Sequence, residues 1–226
     1  MASAHPVSDL ADTATACADR LMEADSVLLA SHIDADGLTS AAVAATALRR
    51  AAIPFETVFA KQLDAGEIER IAATDHGTVL FTDFGSGQLD QSAPHAGAGA
   101  FTPVVVDHHQ PADLPDGRDE PDHHLNPLLF GLDGASELSG AGASYVLARA
   151  LEPPGGDNRD LAGLAVVGAT GDMQATDGGL SGANQRIVDE GVAAGVVEEA
   201  TDLLVYGRQT RPLPKLLEYA SDVRIP

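Results

Sequence analysis

Tryptophan is absent from this chain of 226 residues, cysteine occurs once, and aromatic side chains make up only 4% of it. Cys17 alone cannot close an internal disulfide or build a structural zinc site, and such cysteine usage fits a reducing cytoplasm. Scarce aromatics leave few platforms for stacking single-stranded bases. Lysine is limited to Lys61 and Lys215, and Lys plus Arg total 13 against 34 Asp plus Glu. That balance excludes the broad basic face that long duplex nucleic acid requires, though not a narrow cationic track beside metal ions. No apolar run approaches the ~20 residues of a membrane span. The opening stretch MASAHPVSDLAD carries acids where a secretion signal needs positive charge. The expectation is a cytoplasmic protein that does not enter a membrane. Familiar motifs are missing as well: there is no GxxxxGK[ST] phosphate loop and no GxSxG elbow. An EF-hand loop begun at Asp34 would put Ala45 where its last Glu belongs and Leu38 where its third acid belongs.

What the chain has in excess is acid, with a formal net charge of −21. A carboxylate-coated, lysine-poor surface suits concentrated salt, where self-repulsion is screened over roughly 3 Å at 1 M. A halophilic source is therefore expected. Thermal melting in low and in molar potassium chloride checks it: Tm should rise with salt, and an unmoved Tm would count against the expectation.

Strand and helix patterns alternate along the first half. Leu10, Ala14, Cys17 and Leu21 recur at helical spacing behind Ser8, which reads as an N-cap, so residues 9–23 form an amphipathic helix. Residues 26–30 (SVLLA) read as a buried strand, followed by the turn ASHIDADG and an alanine-rich helix over 38–52. Residues 55–59 are a second strand, and Asp64 with Glu67 opens a helix to Ala73. A third strand, 77–83, ends in Asp83, and a fourth, 103–106, runs directly into Asp107-His108-His109. An acidic, proline-bearing loop over 111–122 leads to a short fifth strand at 123–126, closed by Pro127. Helices then follow at 138–151, 159–170, 184–194 and 197–206, with a loop at Gly155-Gly156. This order predicts an α/β fold: a mostly parallel five-stranded sheet flanked by helices, followed by a helical segment.

Open sheets of this kind bind ligands outside the carboxyl ends of their strands. HIDADG, TDFGSG and DHHQP each lie just after a strand, so they should converge on one crevice. His32, Asp34 and Asp36 are candidate ligands for a divalent cation. Equally, Asp34 or Asp36 caps the helix and His32 is a polar loop residue. Asp83 alone reads as a turn or cap residue more readily than as a ligand. Three adjacent ionisable groups at Asp107-His108-His109 are rarer. Asp172 closes an apolar helix in LAVVGATGDMQ, where a carboxylate opposes the helix dipole and wants a compensating cation. Taken together, these four strand- or helix-end clusters offer His or Asp each, and two histidines with four aspartates suffice to hold two divalent ions about 4 Å apart, the spacing used to hydrolyse phosphate esters.

The order HxDxDG, strand-end Asp, DHH and later GxxGD resembles the DHH phosphoesterase superfamily, and within it the RecJ-like single-strand exonucleases of archaeal type. LSGAGASYVLARAL (138–151) is similar to the helix that follows the NP turn in those proteins. The resemblance implies two manganese or magnesium ions. His32, Asp34 and Asp83 would hold the first, and Asp36, Asp83, His108 and Asp172 the second, with Asp83 shared. Asp107 would orient a ligand histidine, and His109 would face the scissile phosphate as a catalytic residue. It implies a DHH domain over 1–210, with 211–226 as the start of a linker to a C-terminal domain whose glycine-rich motif is not found in these residues. The implied activity is two-metal-dependent phosphodiester hydrolysis on single-stranded DNA or RNA, with replication or repair proteins as partners. Two other readings stand beside it. One is a phosphoesterase for short oligonucleotides (a nanoRNase), cyclic dinucleotides, bisphosphates or pyrophosphate, and the other is a non-catalytic DHH scaffold module.

Among lesser candidates, Ser139 and Gly140 open a helix whose amides would take a substrate phosphate or merely pack on the sheet. Arg186, Arg208 and Arg211 are the cationic candidates for a substrate track. His76, His95, His123 and His124 read as loop or surface residues, Asn126 as a turn former, and Tyr145, Tyr206 and the phenylalanines as core.

Overall fold

The computed structural model describes residues 6–114, 121–176, 179–200 and 211–219. Strands β1 (Val27–His32), β2 (Phe55–Ala60), β3 (Thr78–Thr82), β4 (Thr102–Val106) and β5 (His124–Leu125) are all parallel, in the order β2-β1-β3-β4-β5. Parallel neighbours need crossovers, and α2 (Ala35–Arg50), α3 (Ala65–Ala72) and α4 (Leu89–Gly97) supply three of them. The first crossover leads outward from β1 to the edge strand β2, and the second leads back past β1 to β3. That reversal opens a crevice at the carboxyl ends of β1 and β3.

Successive strand residues point to opposite faces, and both faces are covered. Val27, Leu29, Leu80, Val104 and Val106 share a core with Leu21 of α1 (Ala11–Met22), Val43 of α2, Tyr145 of α5 (Gly140–Ala150), Ala165 of α6 (Ala162–Gly171) and Ile187 of α7 (Gly182–Ala193). Leu28, Ala30, Val79, Phe81 and Val105, one residue out of phase, pack with Ile68 and Ile71 of α3 and Leu89 of α4. This is why the strands read as continuous apolar runs. The helical layer on the first face is dense because its residues are small. A Cβ built on Gly168 of α6 would come within 2.5 Å of Thr39 Oγ1 on α2.

Several element limits differ from expectation. The first helix begins with a short 3-10 turn, and the Ser8 hydroxyl donates to the Asp9 carboxylate rather than capping. Strand β1 continues to His32 because β2 pairs with it that far. Helix α2 begins three residues before position 38, capped by Asp34, and it ends early, with Ala52 at φ 57°. Helix α4 was not expected at all; its Pro94, histidine and clustered alanine and glycine gave no amphipathic signal. The expected helix over 197–206 is not helical at 197–200, because Gly195 (φ 73°) turns the chain back so that Val197 N–H donates to Gly191 O. Its remainder, with Tyr206 and Arg208, lies outside the described residues. A short helix, α8 (Leu213–Tyr219), occupies part of the expected linker. Phe59 and Phe130 are exposed rather than core, and no described helix is long and apolar enough to cross a membrane.

Candidate metal centre

Asp34 stands at the N-cap of α2, where one carboxylate oxygen accepts from Gly37 N–H at 2.9 Å, a cap that contributes about 1 kcal/mol. Its other oxygen lies 2.9 Å from His32 Nδ1. The capping and ligand readings are therefore not exclusive, since Asp34 has an oxygen for each. Asp36, in the first turn of α2, is buried. Its oxygens accept from Gly140 N–H (2.7 Å) and Ala141 N–H (2.9 Å), the first amides of α5. That helix N-terminus compensates a carboxylate that has left water.

Asp83 follows β3 in the left-handed region (φ 60°), which Asp adopts more readily than most residues. Its carboxylate is 2% exposed, and neither oxygen has a hydrogen-bond partner among the described residues. His108 is similarly placed. Its Nδ1 lies 2.7 Å from Gly134 O, which only accepts, so Nδ1 carries a hydrogen and Nε2 faces the carboxylates. Nε2 is 3.2 Å from Asp83 Oδ1, 3.7 Å from Asp36 Oδ2 and 3.8 Å from Asp172 Oδ2, yet none of these contacts has hydrogen-bond geometry. A neutral ring would aim its lone pair at three carboxylates, so the cluster requires a cation, either a proton or a metal ion. Burial raises the Asp83 carboxyl well above its ordinary range, only partly opposed by His108. Burial alone would lower His108, but Asp83 and the Gly134 carbonyl hold it well above its ordinary value. The donor set of carboxylate oxygens and imidazole nitrogens suits a divalent cation such as manganese or magnesium.

The expected ligands do come together. His32, Asp34 and Asp83 offer atoms within 4.8 Å of one another, and so do Asp36, His108 and Asp172. Asp83 adjoins both sets, with Oδ2 3.7 Å from His32 Nδ1 and Oδ1 on the His108 side.

Asp107 departs from expectation. It accepts from Ser86 N–H (2.9 Å), His108 N–H (2.8 Å) and His109 N–H (3.3 Å), and it lies 2.7 Å from His109 Nδ1. Its complete burial would raise its pKa, but these donors and the two histidines hold it well below the usual carboxylate range. The ring it orients is His109, whereas the carbonyl of Gly134 orients His108. The hydrogen bond to Asp107 in turn raises the His109 pKa. The His109 side chain is 54% exposed and lines a cavity of about 550 Å³ together with His32, Lys61, Asp83, Phe84 and Gln88.

Ser139 and Gly140 are not placed to receive substrate. Ser139 is buried and caps α5 through Gly142 N–H, and the amides of Gly140 and Ala141 are already taken by Asp36. Arg186 and Arg211 are exposed and form no part of the cavity wall. Two residues read from the sequence as a turn former and a surface histidine support this centre, Asn126 while also capping its turn through Leu128 N–H. Asn126 is buried and donates to His109 O (2.8 Å) and Ser86 Oγ (2.9 Å), while His124, buried rather than at the surface, lies 2.8 Å from Ser86 Oγ through Nε2. The adjacency of asparagine to proline was the only signal for Asn126, and a lone histidine in a short strand gave none.

Known proteins share features of this chain. A family model described as the DHH-CID domain matches residues 205–226. An uncharacterised protein of Methanocaldococcus jannaschii is 32% identical over 198 residues, covering 86% of this chain and 43% of that protein. The crystal structure of RecJ in complex with Mn2+ from Thermus thermophilus superposes with a TM-score of 0.63 at 23% identity, over 85% of this chain and 28% of that one. A crystal structure of exonuclease RecJ bound to manganese gives a TM-score of 0.63 at 24% identity, over 82% of this chain and 47% of that one. The chain thus spans less than half the length of each of these proteins.

Proposed function

We propose that this chain, which superposes on RecJ in fold and carries the DHH motif order, is the metal-binding part of a phosphoesterase that hydrolyses phosphodiester bonds in single-stranded nucleic acid. The observation that carries the reading is the buried pair Asp83 and His108. Their unsatisfied polar atoms face each other between two further sets of ligands. His32 and Asp34 would complete one cation site with Asp83, and Asp36, His108 and Asp172 the other. Bound cations, manganese or magnesium, would supply positive charge at the phosphoryl oxygens and acidify the attacking water. The residues of the chain do the rest. Asp107 keeps its charge through His109 and the amides it accepts from, and the first amides of α5 hold Asp36 in place, so both fix the site's geometry before substrate arrives. Asp107 accepts from His109 Nδ1 and favours the imidazolium, whose Nε2–H would meet the leaving oxygen and give it a proton, leaving the ring neutral with its hydrogen on Nδ1.

The cavity of about 550 Å³ favours a second reading, since this is the size of a small-molecule site, and a dinucleotide or other short phosphoester would suit it. A panel of pyrophosphate, dinucleotides and labelled single strands with manganese separates the two. Turnover of long single strands supports the first reading, and turnover confined to short substrates the second. No turnover on any substrate, with manganese bound, leaves a scaffold module.

The adjacent histidines give a sharper test, because one is buried against carboxylates and the other faces the cavity. His108→Ala should weaken manganese binding, with activity partly restored by excess metal. His109→Ala should keep its metal and lose activity that added manganese does not restore. That loss should be smaller on a nitrophenyl ester, whose leaving group needs no proton. Equal metal loss in the two variants would overturn the assignment.

A further inference from the structure

The second ligand set has a support that begins on a different helix. Gln174, two residues past Asp172, is 3% exposed and lies in none of the motifs. Its Nε2 donates to Asp172 Oδ2 (2.9 Å) and to Gly134 O (2.9 Å), the same carbonyl that receives His108 Nδ1. Both of these partners only accept, so the amino end of the amide must face them. Its Oε1 accepts from Asn184 Nδ2 at 2.6 Å, and Asn184 Oδ1 accepts from Ser139 N–H at 3.3 Å. Every hydrogen in this chain points the same way, from the start of α5 through α7 to Asp172, and chains so aligned strengthen one another.

We infer that Gln174, oriented by Asn184, is a positioning residue that sets Asp172 against His108, making α7 part of the metal centre. The inference rests on the metal-binding reading above. Asp172 needs such a hold: its side chain is 31% exposed, the most exposed of the second set, and it caps the C-terminus of α6, where the helix dipole repels a carboxylate. Without Gln174 it is free to turn toward water. With Gln174, one amide joins the two ligands through a shared carbonyl, so they cannot move apart independently. Asn184 is buried and is anchored by its own N–H donating to Glu137 O at 2.7 Å, so the relay starts from fixed backbone.

Manganese alone, titrated calorimetrically into the whole chain, tests this without reference to hydrolysis. Gln174→Met keeps length and burial but cannot donate, and its manganese affinity should fall about 10–100-fold, as for loss of other partners that hold a ligand. Asn184→Ala should give a smaller loss of the same kind, because it frees the amide without removing it. Melting in chelator provides the control. A purely structural role for Gln174 predicts a lowered metal-free Tm with unchanged affinity, and that result would overturn the inference. In an Asp172→Asn background the same Gln174→Met change should cost little further affinity, since the residue acts through Asp172. Full additivity there would also overturn it. No manganese uptake by the wild-type chain would sink this inference together with the proposed function, whereas normal uptake by Gln174→Met would sink this inference alone.

Discussion

Asp83→Asn is expected to remove hydrolysis and to lower manganese affinity by more than the roughly 100-fold that losing an outer partner costs, while the fold survives. Among the described residues Asp83 is the side chain that adjoins both ligand sets, so its loss weakens both rather than one. Asparagine is the right replacement on backbone grounds. At φ 60° alanine would add roughly 1–2 kcal/mol of strain that asparagine largely avoids. Asparagine also removes a buried negative charge from beside Asp36, so the metal-free protein should melt no lower than wild type. Calorimetry with manganese, a turnover assay and a melting curve in chelator read the three quantities separately. Wild-type turnover in Asp83→Asn would show that the shared position has been misassigned.

Gly140→Ala should damage the site as severely, although position 140 touches no substrate and holds no metal. A Cβ there collides with Asp83 Oδ1 and lies 2.9 Å from Asp83 Cβ and 3.0 Å from its Cγ. Two relaxations are open. If Asp83 gives way, the shared ligand moves; if α5 gives way, Asp36 loses the two amides that stabilise its charge. Either route disrupts the cluster, and the overpacking itself costs about 1–3 kcal/mol. Loss of manganese binding with a lowered Tm is the expected result. Gly163→Ala is the matched control on the same helical layer. A Cβ at that position of α6 meets no atom of the described residues within 4 Å, so it should raise stability by about 0.5–1 kcal/mol and leave metal binding alone. Normal metal affinity in Gly140→Ala would mean that α5 and Asp83 are less tightly opposed than these distances require.

The same residues show how far the sequence could be read. HIDADG, the strand-end Asp83, DHH and GD each sit at the end of an element, and apolar runs located those ends, so their convergence on one crevice was legible, while their division into ligand sets came from the family resemblance. Ser139 and Gly140 were legible as a helix start, but not their use. A sequence shows that amides are free at a helix N-terminus, not which distant carboxylate takes them, and here it is Asp36 across more than a hundred residues. Asp107 was legible as an orienting group, yet its choice between two neighbouring rings follows from strand geometry and the Gly134 carbonyl. Gln174 and Asn184 carried no signal, because neutral amides are common everywhere and only three-dimensional closure makes these two a relay. Helix α4 was lost for the opposite reason: its proline and small residues resemble a loop, and only Leu89 and Ser92 of it are buried.

The hold of α5 on Asp36 has a consequence for how the chain is made. Synthesis runs from the N-terminus, so the strands emerge before the helices that cover them, and the domain completes its fold as a unit. Strands β1, β3 and β4, with Asp36, Asp83 and His108, are complete well before Gly140 and Ala141 leave the ribosome. During that interval the nascent sheet carries a carboxylate that cannot be buried without its amide partners, so Asp36 must stay hydrated and the crevice open. Arrival of α5 closes it. The centre is therefore a late checkpoint of the fold, and a nascent chain stalled before α5 should have no high-affinity place for a cation.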